Sequence, residues 1–429
     1  MPQEQSHRNR TLFLVGVLHA FTHLYQVALL PLYLRIQQDL NLSSVEQATL
    51  LVTILGVAYF LPSYPLGVMA DRFSRKKLLG IGLAINSLGF IALGLAPNYA
   101  WALAAAAIAG FGGSFYHPAA TALVAQLFPE AKGRALGLVG IGASTGFFAG
   151  PFYTGWRVVS SGSWRFPVCE LGAFGLLAAG LFFLLAHEHS ELPPLSKSNE
   201  KLSISPPVSA PLFPTTALWF LFLGASFCFS MRDFSGNAMG TSASLFLQNA
   251  HGFSPKSTGL ALSGLYLASV ISNPLFGSLS DRGRMRWVAF VLIIAASMIS
   301  LFPRVPAAWI SPVLLTYGFF FMASYPIVEA ALMESVPNSV RGRVFGLFIT
   351  VGGLIGNISH WVAGNWIHKL GPTAAQVASY LPLYATLSLL VALSICGLPL
   401  LHAIRKREHL DPLETGAAAL APLRAANDP

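Results

Sequence analysis

The sequence is poor in charged residues and in cysteine. Only 10% of its 429 residues are Asp, Glu, Lys or Arg, whereas about 25% is usual in a soluble globular chain. So few charges cannot cover the surface of a soluble protein, which excludes an ordinary cytosolic enzyme and a disordered chain. Cys169, Cys228 and Cys396 lie far apart within apolar stretches. Their spacing indicates neither a disulfide framework nor a cysteine metal site.

Hydrophobic residues, in contrast, make up 54% of the chain. At about 20 residues per membrane-spanning helix, this content suffices for a dozen crossings. We therefore predict an all-α integral membrane protein with twelve transmembrane helices, called spans 1 to 12. The predicted ranges are 11–34, 47–69, 78–97, 99–127, 135–158, 166–187, 214–247, 257–279, 287–303, 307–334, 343–367 and 378–403.

One long polar interruption divides the spans into two groups of six. Residues 188–213 are rich in proline and serine, which is typical of a linker. The linker separates an N-terminal bundle, 11–187, from a C-terminal bundle, 214–404. Residues 1–10 and 405–429 form terminal segments outside the bilayer. The sequence contains no nucleophile elbow, phosphate loop or cysteine–histidine metal motif, so we expect no enzyme activity and no cofactor.

Lysine and arginine are distributed unequally over the predicted loops. Of the 26 such residues, 19 lie in the termini and the loops on their side, six lie on the other side, and Arg232 lies within span 7. Positively charged loops stay in the cytoplasm. We therefore predict a multi-pass protein of the cell membrane with both termini in the cytoplasm. This topology explains the net charge of +9 without a nucleic-acid partner.

The two halves carry the same motifs in one register. GVMADRFSRKK (67–77) matches GSLSDRGRMR (277–286), a shift of 210 residues between the aspartates. PEAKGRALG (129–137) matches PNSVRGRVFG (337–346), with a shift of 209 residues. Two parallel six-helix repeats place a ligand site between them, near the middle of the bilayer. This arrangement predicts a transporter that works by alternating access.

The motif at 67–77 resembles the G-x-x-x-D-R-x-x-R-K loop between helices 2 and 3 of the major facilitator superfamily. The resemblance extends over about residues 10–405 and implies the fold of that family. It also implies a charge latch that closes the cytoplasmic side while the outer side is open. The implied latch residues are Gly67, Asp71, Arg72, Arg75, Arg134, Asp281, Arg282 and Arg343.

Span 5 resembles the antiporter signature of the same family, G-x8-G-x3-G-P-x2-G-G. The matching residues are Gly137, Gly146, Gly150, Pro151 and Gly155. Thr154 replaces one glycine, and Ala106 stands in span 4 where such antiporters usually carry an arginine. Small residues on one face permit close helix contact. Within the family the signature is associated with antiport of drugs and protons.

Spans 1 and 4 resemble the fosmidomycin-resistance branch, which is expected to carry H-x-x-N-D-x-Y-Q and F-H-P. The matching residues are His19, Tyr25, Gln26, Tyr116, His117 and Pro118. Thr22 and His23 stand in the place of the Asn-Asp pair, so the acidic group is lost. His19 and His23 lie one turn apart and could bind metal. Because no third ligand is recognisable, no metal site is predicted.

Ionisable groups within a span are costly and usually functional. We predict that His117, Asp233 and Glu329 couple transport to protons. The predicted substrate contacts are His23, Tyr25, Gln26, Tyr116, Arg232, Asn237, Tyr266, Tyr325 and Asn357. Arg232 and Asp233 leave their helix about 100° apart, so they need not pair with each other. Glu170 is expected to reach water, and Glu334 to join a salt bridge at the cytoplasmic side.

These observations predict a secondary active transporter, a monomer in the bilayer, that exports a small organic compound in exchange for protons. Three alternatives remain. The first is a proton symporter for an organic anion, in which Arg232 contacts the anion. The second is a lipid or lysolipid transporter, and the third is a membrane scaffold or sensor that has lost transport.

Overall fold

The computed structural model describes residues 2–188, 212–337 and 340–407. The side chains of five residues within these ranges are not described: Pro2, Gln3, Tyr64, Val68 and Asp71. Most of the predicted linker and the tail beyond residue 407 lie outside the described residues. Within the described ranges the regular secondary structure is entirely helical.

The N-terminal half contains spans 1 to 6 in the predicted order. Span 1 consists of Pro2–Val27, Leu30–Leu32 and Tyr33–Asp39, so the segment 1–10 largely continues span 1 as a helix. The other five spans are Val45–Phe60 with Ser63–Arg72, Arg75–Gly94, Tyr99–Gly113 with Tyr116–Leu127, Lys132–Ser161, and Arg165–Leu185.

The C-terminal half contains spans 7 to 12. They are Thr216–Asn249, Pro255–Leu267 with Ser269–Leu279, Arg284–Leu301, Ala307–Glu334, Arg341–Leu370, and Leu381–Ser394 with 397–407. Short 3-10 turns lie at Phe302–Arg304, Gly371–Ala375 and Val377–Tyr380. Of the described segments, 10 are individually long and apolar enough to cross a membrane. Spans 2 and 4 are each built from two shorter helices.

Proline accounts for several of these interruptions. A proline has no N–H to donate to the carbonyl four residues earlier, and its ring crowds that carbonyl. The first helix of span 1 ends at Val27, four residues before Pro31. Span 4 breaks at 114–115, just before Pro118. Span 12 breaks at 395–396, just before Pro399.

The outer surface of the bundle is apolar, as a lipid-facing surface must be. Phe13, Phe220 and Leu184 are 71%, 73% and 78% exposed. Trp101 and Trp309, which occupy corresponding places in the two halves, are 63% and 62% exposed at the starts of spans 4 and 10. Tryptophan is enriched where a helix meets the membrane–water interface. The repeat is thus visible in these interfacial tryptophans as well as in the loop motifs.

Helix packing follows the repeat. Span 1 packs on span 5 in the first half, and span 7 packs on span 11 in the second. Across the halves, span 2 packs on span 11 and span 5 packs on span 8. Because spans 2 and 8 occupy corresponding places, as do spans 5 and 11, the interface between the halves is itself pseudo-symmetric.

Candidate transport site

Eight hydrogen bonds between described residues of the two halves lie on the same side of the molecule. We call the side that carries Pro2 and Arg407 the terminal face, and the other side the opposite face. Hydrogen bonds join Tyr33–Thr241, Leu30–Ser244, Pro31–Gln248, Thr53–Asn357, Thr53–Trp361, Glu46–Asn365, Phe148–Ser263 and Ser144–Ser269. All lie between mid-depth and the opposite face. We call the space between the halves toward the terminal face the cleft.

Glycines permit the close contact at the opposite face. A Cβ atom on Gly56 of span 2 would overlap the side chain of Asn357, and one on Gly364 of span 11 would overlap Thr49. At the corresponding contact between spans 5 and 8, a Cβ atom on Gly155 would lie 2.5 Å from the carbonyl oxygen of Pro255. The close contact between the halves therefore requires glycine, which has no side chain, at these three positions.

The antiporter signature follows the same logic along span 5. Gly146 and Gly150 lie against the backbone of span 1, at Ala20 and Leu24, whereas Gly155 faces span 8. The space beside Gly137 is open. Thr154, the departure from the signature, is buried, and its hydroxyl donates to the carbonyl of Ala28 at 2.7 Å. These small residues let span 5 pack closely on span 1 of its own half and on span 8 of the other half. Pro151, at which the helix can kink, lies among them.

Three histidines from spans 1 and 4 form a cluster at mid-depth. The Nε2 atoms of His19 and His23 lie 3.1 Å apart. With one nitrogen of His117, the three ligand atoms lie within 4.8 Å of one another. His19 is buried and His23 half-buried, whereas His117 is exposed and faces the cleft. The sequence did not reveal a third possible ligand beside His19 and His23. The structure shows that His117 lies in that place.

Hydrogen bonds and aromatic rings hold this histidine cluster. His19 Nδ1 lies 2.9 Å from the carbonyl oxygen of Val139, and His23 Nδ1 lies 3.1 Å from Gln26 Oε1. Tyr116 stacks on His19 at 4.6 Å, and its hydroxyl donates to the carbonyl of Val15. Tyr116 thus supports the cluster and is not itself a free contact for substrate.

Two aromatic residues link the histidine cluster to the other half. The ring of His23 lies 4.4 Å from that of Phe147 on span 5, and Phe147 stacks on Tyr266 of span 8 at 5.0 Å. Tyr59 of span 2 approaches His117 edge-on at 6.2 Å. The Tyr59 hydroxyl is buried without a hydrogen-bond partner among the described residues. These rings form an apolar wall of the kind that binds organic compounds.

The C-terminal half contributes a charged cluster on spans 7 and 10. Arg232 donates to Asp233 Oδ1 from Nε at 3.0 Å and from Nη2 at 2.8 Å. The Arg232 guanidinium also lies 4.1 Å from the centre of the Tyr325 ring and donates to the carbonyl of Ser324 at 3.4 Å. The sequence alone did not require Arg232 and Asp233 to pair with each other. In the structure they form an ion pair.

Glu329 is the second carboxylate of this charged cluster. It is half-buried and lies one turn beyond Tyr325 on span 10, whose ring contacts the Arg232 guanidinium. It makes no direct ion pair with Arg232, whose Nε and Nη2 atoms both face Asp233. Only 1% of the Arg232 side chain and 14% of the Asp233 side chain are exposed. The Arg232 cation is therefore paired with Asp233, and Glu329 is a second carboxylate nearby without a direct ion pair to it among the described residues.

The remaining predicted contacts divide into those near the charged cluster and those elsewhere. Asn237 lies beside Gly356 of span 11, one turn from Asp233. Asn357 belongs to the interface between spans 2 and 11 and is 7% exposed. Tyr25 is 1% exposed, and its hydroxyl donates to the carbonyl of Leu171 at 2.9 Å and lies 3.1 Å from Ser87. The structure thus places Tyr25 inside the N-terminal half, away from the cleft.

The predicted latch lies at the terminal face, and the structure describes only part of it. The side chain of Asp71 is outside the described part, and Gly67 contacts Pro118 of span 4. Arg75 donates to Gln126 at 2.6 Å within its own half. Arg72, Arg134, Asp281 and Arg282 are exposed, and Arg343 is half-buried. The second-half ion pairs involve a residue not assigned to the latch, Arg284, which contacts Asp281 at 3.0 Å and Glu334 at 2.6 Å.

Two other acidic residues form ion pairs within one half. Glu334 also lies 3.9 Å from Arg405, so it joins a salt bridge at the terminal face, as predicted. Glu170 accepts from Arg157 at 2.7 Å and from the Tyr153 hydroxyl at 2.8 Å. The Glu170 side chain is 28% exposed, which agrees with a group that reaches water.

Sequence reasoning missed several residues for identifiable reasons. Tyr59 and Phe147 carry no charge and belong to no motif, so only their position beside His117 and His23 marks them. His19 matches a motif of span 1, but its part in the cluster depends on span 4. Arg284 lies two residues beyond the motif position that was assigned to Arg282.

Comparison with known proteins agrees with this architecture. The family model described as Major Facilitator Superfamily matches residues 12–360. Multidrug resistance protein 2 of Bacillus subtilis (strain 168) is 26% identical over 359 residues, which cover 81% of this chain and 86% of that protein. The fosmidomycin resistance protein of Escherichia coli (strain K12) is 21% identical over 379 residues, covering 87% and 91%.

The quinolone resistance protein NorA of Staphylococcus aureus is 23% identical, covering 86% of this chain and 89% of that protein. Among solved structures, a bacterial homologue of the human lysosomal transporter Spinster, inward-facing and unoccupied, superposes with a TM-score of 0.73. It is 18% identical and covers 94% of this chain and 98% of that one. This likeness shows the fold. The protein is therefore a multi-pass membrane protein and secondary transporter of the Major Facilitator Superfamily.

Proposed function

We propose that the protein exports a small, positively charged organic compound from the cytoplasm in exchange for protons. The observation that carries this proposal is the buried Arg232–Asp233 ion pair with a second carboxylate, Glu329, one turn beyond Tyr325, whose ring contacts the same guanidinium. Relatives named for multidrug, fosmidomycin and quinolone resistance support export of a small molecule. The antiporter signature on span 5 supports exchange.

The charge balance of the cluster explains why one proton is needed. The Arg232 guanidinium compensates one carboxylate, and Asp233 already accepts two of its N–H groups. A second unpaired carboxylate is costly in a poorly hydrated site. Glu329 must therefore be neutralised by a proton or by a cationic group of the substrate. Two ligands that neutralise the same charge displace each other, which is the requirement of an antiporter.

The same geometry argues against a symporter for organic anions. That alternative requires Arg232 to present its charge to the substrate. In the structure the guanidinium is 1% exposed and is occupied by Asp233, the carbonyl of Ser324 and the Tyr325 ring. An anion would have to displace Asp233 first.

The proton site lies on the C-terminal half, and most of the substrate wall lies on the N-terminal half. Asp233 and Glu329 belong to spans 7 and 10, whereas His23, His117 and Tyr59 belong to spans 1, 4 and 2. We assign the exchange of charge to the carboxylates, and contact with the body of the substrate to His117, Phe147 and Tyr266, while the buried Tyr59 packs edge-on against His117. A ligand between these walls bridges the halves, so its occupancy affects their rocking motion.

The positive-inside distribution supports placing the terminal face in the cytoplasm of the cell. With that orientation, the contacts at the opposite face correspond to a closed outer side and an inward-open cleft. We further propose that a single chain is the working unit, because the two pseudo-symmetric halves supply both walls of the site.

A ligand-stabilisation screen on the purified chain tests the proposed substrate class. A compound that binds only the folded state raises the apparent unfolding temperature. The screen uses lipophilic cations and matched organic anions at pH 6 and pH 8. We expect cations to stabilise, and more strongly at pH 8, because fewer protons then compete for Glu329. Stabilisation by anions alone would favour the symporter.

A further inference from the structure

We propose that His19, His23 and His117 form a binding site for a divalent transition-metal ion such as Zn²⁺, with a fourth coordination position open to the cleft. Three imidazoles whose ligand atoms lie within 4.8 Å of one another are already assembled from spans 1 and 4. The inference does not depend on the direction of transport or on proton coupling.

The distances suit a tetrahedral ion. With Zn–N bonds of about 2.1 Å, ligand nitrogens lie about 3.4 Å apart. The Nε2 atoms of His19 and His23 are 3.1 Å apart, and His117 completes the set after a small ring movement. That movement breaks no hydrogen bond between described residues, because the His117 ring contacts its neighbours by its faces and edges.

Two of the histidines have a hydrogen-bond partner at Nδ1, which leaves Nε2 as the atom that can bind a metal ion. Metal-bound histidine usually donates its other N–H to a carbonyl or carboxylate, which sets the tautomer and the ring orientation. His19 Nδ1 faces the Val139 carbonyl at 2.9 Å, and His23 Nδ1 faces Gln26 Oε1 at 3.1 Å. When Nδ1 is the donor in both rings, the Nε2 lone pairs are directed into the cluster. A random group of packed histidines would not need this support.

The donor set and its exposure define the ligand class. Three neutral nitrogens suit zinc, cobalt, nickel or copper and not magnesium or calcium, which prefer oxygen. His19 is buried and His117 is exposed, so the ion is reached from the cleft. A site with three protein ligands keeps one position for water or for a donor atom of a small molecule.

Cobalt absorption and zinc calorimetry on the full chain in detergent test the site directly. The purification tag contains no histidine. We expect one ion per chain and the visible bands of tetrahedral cobalt. His23→Gln and His117→Gln should each abolish these bands. Gln26→Leu keeps all three ligands but removes a supporting acceptor, and it should lower the affinity about 10-fold to 100-fold.

Two controls separate this site from other histidines. His7 and His187 form an exposed ring pair at 4.1 Å, and His360 is a buried histidine on span 11. His7→Ala combined with His187→Ala, and His360→Gln separately, should leave the bands unchanged. Unfolding temperatures without metal show that each variant is folded.

Absence of a stoichiometric ion in the wild-type chain would overturn the proposal, as would wild-type bands in both His23→Gln and His117→Gln. Loss of the bands in the His7/His187 variant would assign binding to the surface instead. Because no measurement involves transport, failure here leaves the proposed export function standing.

Discussion

Arg232 holds the carboxylate of its sequence neighbour, Asp233, by two N–H groups at 2.8 and 3.0 Å, within the same turn of span 7. Adjacent residues on a helix diverge, so such a pair forms only when both side chains bend toward one region. The surrounding elements, Tyr325 on span 10 and Gly352 on span 11, leave them that region. The pair is therefore a property of the packed C-terminal half and not of span 7 alone.

Arg232→Gln should destabilise the protein by about 3–5 kcal/mol, because it leaves two buried carboxylates without a cation. The double variant Arg232→Leu with Asp233→Leu should recover much of this stability, since no unpaired charge remains on span 7. Denaturant-induced unfolding in detergent measures the stability of the single and the double variant. Equal destabilisation in the single and the double variant would show that the charges are not coupled.

Tyr59→Phe should leave both the free energy of unfolding and the affinity for the screened ligand near the wild-type values. The Tyr59 hydroxyl has no described partner to lose. Tyr25→Phe is the matched control, because it removes the hydrogen bond to the buried carbonyl of Leu171. We expect Tyr25→Phe to cost about 1–3 kcal/mol of stability and to leave ligand affinity unchanged. The opposite pattern would exchange their roles.

Gly155→Val should separate the halves at the opposite face, since its side chain would meet the backbone of Pro255. Gly137→Ala, with open space beside it, should behave as wild type. Spin labels at Asn41 and Lys256 report the separation by pulsed electron resonance. We expect a longer mean distance in Gly155→Val only. An unchanged distance would mean that the contact of spans 5 and 8 does not control the closed state.

Lys132→Cys and Lys256→Cys form a matched pair for topology, since both positions are exposed at the start of a span, one at the terminal face and one at the opposite face. Cys169, Cys228 and Cys396 are first replaced by alanine. An impermeant maleimide added to intact cells should label residue 256 and not residue 132. The reverse result would invert the orientation and turn the inward-open cleft outward.

Much of this architecture could be predicted from the sequence, because hydrophobic length and loop charge report the membrane directly. The predicted order of spans, the repeat and the ion pair of Glu334 agree with the structure. The extent of span 1 was not predicted, because its first turns are polar and carry no membrane signal. The breaks in spans 2 and 4 depend on local proline geometry that periodicity does not reveal.

The site was less predictable, because its residues meet only through tertiary packing. Tyr25 carries a family motif, yet the rotation of span 1 turns it into the N-terminal half. The same rotation brings His19 and His23 toward His117. The pairing of Arg232 with Asp233 likewise depends on spans 10 and 11. Motifs identified the helices correctly, but they did not determine which face each helix turns to the cleft.

Substrate-driven proton movement in proteoliposomes tests the central claim most directly. A compound from the stabilisation screen is applied across the membrane, and a trapped pH dye reports proton flux for wild type, Asp233→Asn, Glu329→Gln and Glu170→Gln. We predict that wild type and Glu170→Gln move protons opposite to the substrate, because Glu170 is paired with Arg157 outside the cleft. Asp233→Asn and Glu329→Gln should lose this proton flux. Wild-type proton-to-substrate ratios in both cleft variants would contradict the account.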